Sequence, residues 1–231
     1  MSKFIRLHII AEGHTEEKFV RGSLAAHLGK FQISTDVRRV MTSRDKRQRK
    51  FYRGGLINYE KARNDIQLWL KEDKHPESRF TTMFDLYGLP DNFPAYLEAK
   101  AIKDPYQQVK ILENALQNDI GDSRFVPYIQ LHEFEALVLA NPANLEHEYF
   151  DHTAAIKSLQ KVLADKGGNS ELINDGYDTA PSRRIEKVIP EYDKANVGSF
   201  IAGVNGINFL KETCRHFSDW VNTLERLSSD L

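Results

Sequence analysis

Cysteine is almost missing from this sequence of 231 residues. Its single thiol, Cys214, cannot form a disulfide within the chain, which fits a reducing compartment. We interpret Cys214 as a core residue because it falls on the apolar face of a predicted helix; a catalytic thiol is the alternative. No apolar run approaches the ~20 residues that a membrane-spanning helix needs, and the chain does not open with a signal-peptide pattern. We therefore expect a cytoplasmic protein with no membrane-embedded part.

An excess of charge of one sign is also lacking, because the formal net charge is −1. Any affinity for nucleic acid must therefore come from a local patch. The sequence contains neither the Gly-x-x-x-x-Gly-Lys-Ser/Thr loop nor the Gly-x-Gly-x-x-Gly fingerprint, which argues against ATP hydrolysis and dinucleotide redox chemistry. What is present is an ordinary globular balance, with 41% hydrophobic and 28% charged residues.

Strand-like and helix-like segments alternate in the first part of the chain. Strands are predicted at 4–11, 33–41, 80–87 and 125–131, and helices at 15–27, 58–71 and 105–119. This alternation predicts an α/β fold with a mostly parallel sheet and helices on both faces. The last third is predicted to be helical, at 153–165, 181–189 and 207–228. We expect residues 1–150 to form the α/β core and residues 151–231 a helical C-terminal extension packed on it.

Two carboxylates flank the first predicted strand-to-helix turn. Glu12 follows the strand, and Glu16 returns on the first turn of the next helix, for which Thr15 is the expected N-cap. Ligands collect at the carboxyl edge of open α/β sheets, and two unpaired carboxylates there would raise each other's pKa. A divalent cation removes that penalty, and hard oxygen ligands suit Mg²⁺ or Mn²⁺. Alternatively, Glu16 only complements the helix dipole and Glu12 is solvated.

Further polar residues fall near the same expected edge. Asp85 ends an otherwise apolar strand, where a lone buried carboxylate is costly, although it could simply cap a turn. His132, Glu133 and Glu135 follow the last predicted strand. Glu133 and Glu135 would point apart on a strand or a helix, so we expect at most one to join the site directly. His132 could ligate a metal, orient a phosphate, or be a core histidine.

Two basic segments are candidate phosphate contacts. The segment 38–53 contains a single acid and interleaved aromatic residues, and its candidate contacts are Arg44, Arg47, Arg49, Lys50 and Arg53. A solvated loop is the alternative. A second group lies at a predicted helix start, where cations oppose the helix dipole, and consists of Arg183, Arg184 and Lys187. The compensating anion there could be a phosphate or one of the protein's own acids.

The order of these motifs resembles the Toprim fold of topoisomerases, primases and the nucleases of the overcoming-lysogenisation-defect family, the last group most closely. The resemblance rests on Glu12-Gly13-x-Thr15-Glu16 and on the aspartate that ends a later strand. The chain also resembles an uncharacterised bacterial family, a domain of unknown function with Toprim-like character, whose members are similar to components found beside ATPases in phage-defence loci. The segments that carry this second resemblance are 12–17, 84–88, 130–136, 181–185 and 214–220.

The resemblance implies a Mg²⁺- or Mn²⁺-dependent phosphodiesterase that acts on DNA or RNA. It implies catalytic roles for Glu12, Asp85 and Glu133, and metal ligands among Glu12, Glu16, Asp85, Glu133 and Glu135. His132 and the two basic groups would bind the phosphate backbone.

One departure from the Toprim pattern bears on activity. Tyr87 stands where Toprim nucleases usually carry the second aspartate of Asp-x-Asp. Either Glu133 or Glu135 then completes the site, or the site holds one metal, or it has lost activity. The alternative function is a non-catalytic subunit that binds nucleic acid or an ATPase partner through its C-terminal helices.

Overall fold

A parallel sheet organises the protein, whose computed structural model describes residues 4–40, 56, 58–174 and 179–229. The strand order is β2-β1-β3-β4, with β5 also pairing with β3, and each of these pairs is parallel. This confirms the predicted mixed α/β fold with a mostly parallel sheet. The strands are β1 (Ile5–Ala11), β2 (Ile33–Arg39), β3 (Ser78–Asp85), β4 (Phe125–Val126) and β5 (Ile129–Gln130).

Helices surround the sheet and make up most of the chain after β5. Short 3₁₀ turns lie at Leu86–Gly88, Pro142–His147 and Ser170–Leu172, and π-helical turns at Val20–Leu24 and Lys194–Gly198. The α-helices are α1 (His14–Phe19), α2 (Ala25–Gly29), α3 (Tyr59–Glu72), α4 (Tyr96–Lys100), α5 (Pro105–Ile120), α6 (Glu135–Val138), α7 (Thr153–Asp165), α8 (Pro181–Val188), α9 (Ser199–Asn205), α10 (Ile207–Thr213) and α11 (Arg215–Arg226). No helix of these described residues is long and apolar enough to cross a membrane.

The apolar core forms on both faces of the sheet, because successive strand residues point to opposite sides. Ile9 and Met83 belong to a cluster that includes the C-terminal helices, whereas Ile10 and Phe84 belong to one formed with α3 and α5. The central strands β1 and β3 are therefore buried on both faces, which fits the mostly apolar sequence of β1 and the phenylalanine, methionine and threonine residues of β3.

The C-terminal helices pack directly on the sheet. Trp220 of α11 stacks on Tyr128 with ring centroids 4.1 Å apart, and its Nε1 donates to Thr81 Oγ1 over 2.9 Å. The expected helical C-terminal part is present, while a domain boundary at residue 150 stays a prediction.

Local chemistry explains where the predicted elements end differently. Pro127 lacks a backbone N–H and separates β4 from β5. Next to it, the Thr82 hydroxyl takes the place of backbone hydrogen bonds between the strands: Oγ1 accepts from Tyr128 N and donates to Tyr128 O, each over 2.9 Å. The single helix predicted at 207–228 is wrong, because it breaks at the extended backbone of Cys214. Cys214 is itself buried, as predicted.

The start of α1 also differs from the prediction. Its N-cap is Gly13, and Thr15 lies buried within the helix. In contrast, the starts of two other helices follow their sequence signals: Asn58 accepts from Glu60 N ahead of α3, and Asp104 accepts from Gln107 N ahead of α5. The sequence did not predict α4 or α9.

Candidate functional site

Two carboxylates meet at the carboxyl edge of the central strands. β1 and β3 are parallel neighbours, so Glu12, just after β1, lies beside Asp85, the last residue of β3. Glu12 Oε2 accepts a hydrogen bond from Asp85 N over 2.8 Å. A Cβ built at Gly88 would collide with the Glu12 carboxylate, so this arrangement requires glycine at position 88.

Glu16 brings a third carboxylate to this edge from the first turn of α1. Its side chain is buried, and its Oε2 accepts from Gly13 N over 2.9 Å. Burial raises the pKa of Glu16, while hydrogen bonds to the backbone and the charge of Lys194 oppose that rise. The helix dipole thus favours the ionised form of Glu16, whereas burial favours its neutral form.

Glu135, at the start of α6, supplies a fourth carboxylate and is completely buried. Burial raises its pKa from 4.5 to about 7, because a charged carboxylate loses its hydration there. Lys194 lowers the pKa of Glu135, and Glu133 raises it.

One lysine lies among these acids. Lys194 Nζ is 2.9 Å from Glu135 Oε2 and 3.7 Å from Asp85 Oδ2. Although burial alone would lower its pKa, the charges of Glu135 and Asp85 raise the pKa of Lys194 well above its usual value. The carboxylate cluster, which we define as Glu12, Glu16, Asp85 and Glu135, thus has an internal ammonium group as its counter-charge.

Asp85 shows that this counter-charge is incomplete. Its pKa is raised well above the usual value, first by burial and then by the charges of Glu16, Glu12 and Glu135, against the opposing charge of Lys194. Asp85 Oδ1 is buried without a hydrogen-bond partner among the described residues. A buried polar atom without a partner is unusual in a native protein and is explained by protonation of the carboxyl, by an ordered water or by a bound ion.

The donor chemistry of the cluster fits a hard divalent cation, since it offers carboxylate oxygens and an excess of negative charge. Its present geometry is that of an ion-paired cluster. Within the part of the chain that the structure describes, no three His, Cys, Asp or Glu side chains are arranged as a ready-made metal site. A bound cation would have to replace the Lys194 ammonium between Asp85 and Glu135.

The carboxylates of Glu133 and Glu135 contact different partners, in line with the prediction from their spacing that the two side chains point apart. Glu133 Oε2 accepts from Ser182 N, at the start of α8, over 2.9 Å. One of the protein's own carboxylates therefore lies at the start of that basic helix, while phosphate binding there stays a prediction. Glu133 lies outside the carboxylate cluster but close enough to raise the pKa of Glu135.

Of the predicted phosphate-binding arginines and lysines, the structure describes the three that lie in α8. Arg183 pairs with Glu186 at 3.0 Å, Arg184 Nε donates to Thr179 O at 2.8 Å, and Lys187 is exposed. The other predicted contacts lie outside the described residues: Arg44, Arg47, Arg49, Lys50 and Arg53.

His132 follows β5 in a constrained backbone conformation. Its backbone φ is 61°, in the left-handed region, and its carbonyl accepts from Tyr87 N over 3.0 Å. Burial lowers its pKa to about 4, so the ring is neutral near pH 7. Nδ1 is buried without a hydrogen-bond partner among the described residues.

Lys194 is the site residue that the sequence did not reveal. It follows no motif and lies far along the chain from the acids that it contacts. The only signal was indirect, because several buried carboxylates at one edge require a cation.

Comparison with known proteins places the chain in a family. Residues 11–225 match the family described as Domain of unknown function (DUF4276). The chain belongs to the DUF4276 family. No curated protein and no solved structure matches the chain. The carboxylate cluster lies within the matched region, so it is part of the DUF4276 domain.

Proposed function

We propose that this DUF4276 protein is a Mg²⁺- or Mn²⁺-dependent phosphodiesterase that acts on DNA or RNA. The observation that carries the proposal is the meeting of Glu12, Glu16, Asp85 and Glu135 at the carboxyl edge of a parallel sheet. Ligands collect at this edge in open α/β sheets. Asp85 Oδ1, which has no hydrogen-bond partner among the described residues, would be an oxygen ligand for that cation.

The four carboxylates of the cluster would hold the cation, with Glu133 at its border. When bound, Mg²⁺ would stabilise negative charge on the phosphate and lower the pKa of an attacking water. Glu12 also accepts a hydrogen bond from the backbone N–H of Asp85, so Glu12 would position Asp85 as well as bind the cation. Lys194 would stabilise the cluster before the cation arrives.

The biological setting that we propose rests on sequence resemblance. Similarity to Toprim nucleases supports the phosphodiesterase reaction, and similarity to components beside ATPases supports a role in phage defence with an ATPase partner.

The test is a nuclease assay on the full chain with Mg²⁺ or Mn²⁺. Wild type should cleave single- or double-stranded DNA or RNA, whereas Glu12→Gln and Asp85→Asn should lose roughly 100-fold in rate, since metal affinity and charge stabilisation both fall. Glu17→Gln is the matched control, because Glu17 lies on the same helical turn but pairs with Arg39 at 2.6 Å instead. Equal rates for wild type and Glu12→Gln would overturn the proposal.

A second function is favoured by the Lys194 ion pairs and by Tyr87 in place of an aspartate. A cluster that carries its own ammonium could be a degenerate site in a non-catalytic subunit that binds nucleic acid or an ATPase. Calorimetry that shows no Mg²⁺ binding, together with retained nucleic-acid or partner binding, would select this alternative.

A further inference from the structure

A cavity of about 380 Å³ is lined in part by residues that follow β3 and β5. Among its lining side chains are Tyr87, Lys103, Gln108, His132, Lys166 and Asn174. Tyr87 is two residues beyond Asp85, and His132 is three residues before Glu135, so the segments that follow β3 and β5 contribute to both the cluster and the cavity. The hydrogen bond from Tyr87 N to His132 O, at 3.0 Å, joins these two segments.

The charge of the cavity is opposite to that of the cluster. Lys103 and Lys166 are its charged side chains, and no carboxylate lines it among the described residues. Two ammonium groups in one cavity lining favour an anionic ligand, and ammonium groups are common phosphate ligands.

His132 supplies a second and independent pointer to a ligand. Its side chain is only 5% exposed, it lines the cavity, and its Nδ1 has no hydrogen-bond partner in the described part of the chain. A buried ring nitrogen of this kind is costly unless a ligand group or an ordered water bonds to it.

The remaining lining suits a nucleoside. The Tyr87 side chain is 41% exposed and offers a ring face for stacking, while its hydroxyl is bonded to the Asn174 amide. Gln108 adds a second amide, and amides pair with the polar edges of bases. The volume lies in the range of small-molecule sites, roughly 300–1,000 Å³.

We propose that this cavity binds one phosphorylated nucleoside, as the nucleotide unit next to the phosphate that the carboxylate cluster handles. The placement of that unit within a strand rests on the proposed function, whereas binding of the nucleotide does not. Lys103 and Lys166 bind its phosphate, His132 Nδ1 bonds to its polar edge, and Tyr87 stacks on its base.

The test is binding without cleavage. The full chain, in EDTA buffer, is titrated into a fluorescently labelled single-stranded hexanucleotide, and anisotropy is followed at several salt concentrations. Lys103→Gln and Lys166→Gln should each weaken binding about tenfold and reduce the salt slope by about one, as expected for the loss of one phosphate contact. His132→Asn, which tolerates a left-handed backbone, should also weaken binding.

Lys110→Gln and Lys161→Gln are the matched controls, because both lysines are exposed and lie outside the cavity lining. Both controls should bind as wild type does. Unchanged affinity in Lys103→Gln and Lys166→Gln, with unchanged thermal melting, would overturn the proposal.

Competition by adenosine monophosphate and by inorganic phosphate separates the possible sources of the ligand. One outcome is that the mononucleotide competes as strongly as unlabelled hexanucleotide and that this competition is lost in Lys103→Gln. That result supports nucleotide binding by the cavity but overturns the assignment of the nucleotide to a strand. Equal competition by inorganic phosphate overturns the nucleoside part.

Glu12→Gln and Asp85→Asn keep this test distinct from that of the proposed function. Each replaces a carboxylate next to the strand by a neutral amide, so in EDTA both should bind the hexanucleotide at least as tightly as wild type does. Cavity-dependent binding without Mg²⁺-dependent cleavage would refute the phosphodiesterase and leave the cavity proposal standing; cleavage that is insensitive to Lys103→Gln and Lys166→Gln would refute the cavity proposal alone.

Discussion

Two buried acids in this protein have the same chemistry and different surroundings. Glu171 and Asp85 are both nearly inaccessible to solvent, and burial raises the pKa of each. Glu171 accepts from His216 N at 2.9 Å, from Phe217 N at 3.0 Å and from Tyr106 Oη at 3.2 Å. Asp85 instead has like charges around it and an oxygen without a hydrogen-bond partner among the described residues.

Burial alone therefore does not mark a functional carboxylate. Glu171 binds the first amides of α11 and so fixes the break at Cys214, which is a structural task. Asp85 has no comparable set of donors in the part of the chain that the structure describes, and its neighbours increase the negative charge. An unsatisfied acid among other acids is the arrangement that a cation would stabilise.

The largest expected effect is on stability at Glu171. Glu171→Ala should lower the free energy of unfolding by about 4 kcal/mol, because it leaves the His216 and Phe217 amides buried without an acceptor. Chemical denaturation of the metal-free protein measures this. Asp85→Asn is the comparison and should cost nothing or raise stability, since it removes one charge from the cluster. A loss at Asp85→Asn as large as that at Glu171→Ala would break the distinction between the two acids.

The next effect is a pH dependence that arises at Glu135. Its pKa rises from 4.5 to about 7 on folding, so its contribution to stability is full below pH 4.5 and is lost as the pH rises through 7. Between pH 4.5 and 8, metal-free wild type should lose about 3 kcal/mol relative to Glu135→Gln. Denaturation curves of both proteins across this range give the difference directly. Parallel curves would show that Glu135 ionises in the folded protein as freely as in the unfolded chain.

A smaller effect is expected at Lys194. Lys194→Met removes the counter-charge of the cluster and should destabilise the metal-free protein by about 1 kcal/mol, a value reduced by the partial exposure of the lysine. Added Mn²⁺ should restore more stability to Lys194→Met than to wild type. Lys161→Met, at an exposed helical lysine, is the control and should change neither quantity. No loss in Lys194→Met would mean that the ammonium does not stabilise the cluster.

The sequence predicted the parts of this arrangement that depend on local pattern. The apolar run of β1 and the β-branched and aromatic residues of β3, with helices between the two strands, place Glu12 and Asp85 at one edge. The Asp104-Pro105 pair fixed the start of α5. The Lys194 contacts and the break at Cys214 could not be predicted, because each depends on residues distant in sequence that meet only in the folded chain.

Manganese binding tests the central claim most directly. EDTA-treated full chain, dialysed free of chelator, is titrated with Mn²⁺ by calorimetry, and Asp85→Asn is compared with Glu171→Gln as a second buried acid. Wild type and Glu171→Gln should bind Mn²⁺ alike, and Asp85→Asn should bind at least about tenfold more weakly. Absence of binding by wild type, or equal affinity in Asp85→Asn, would contradict a metal site at the carboxylate cluster.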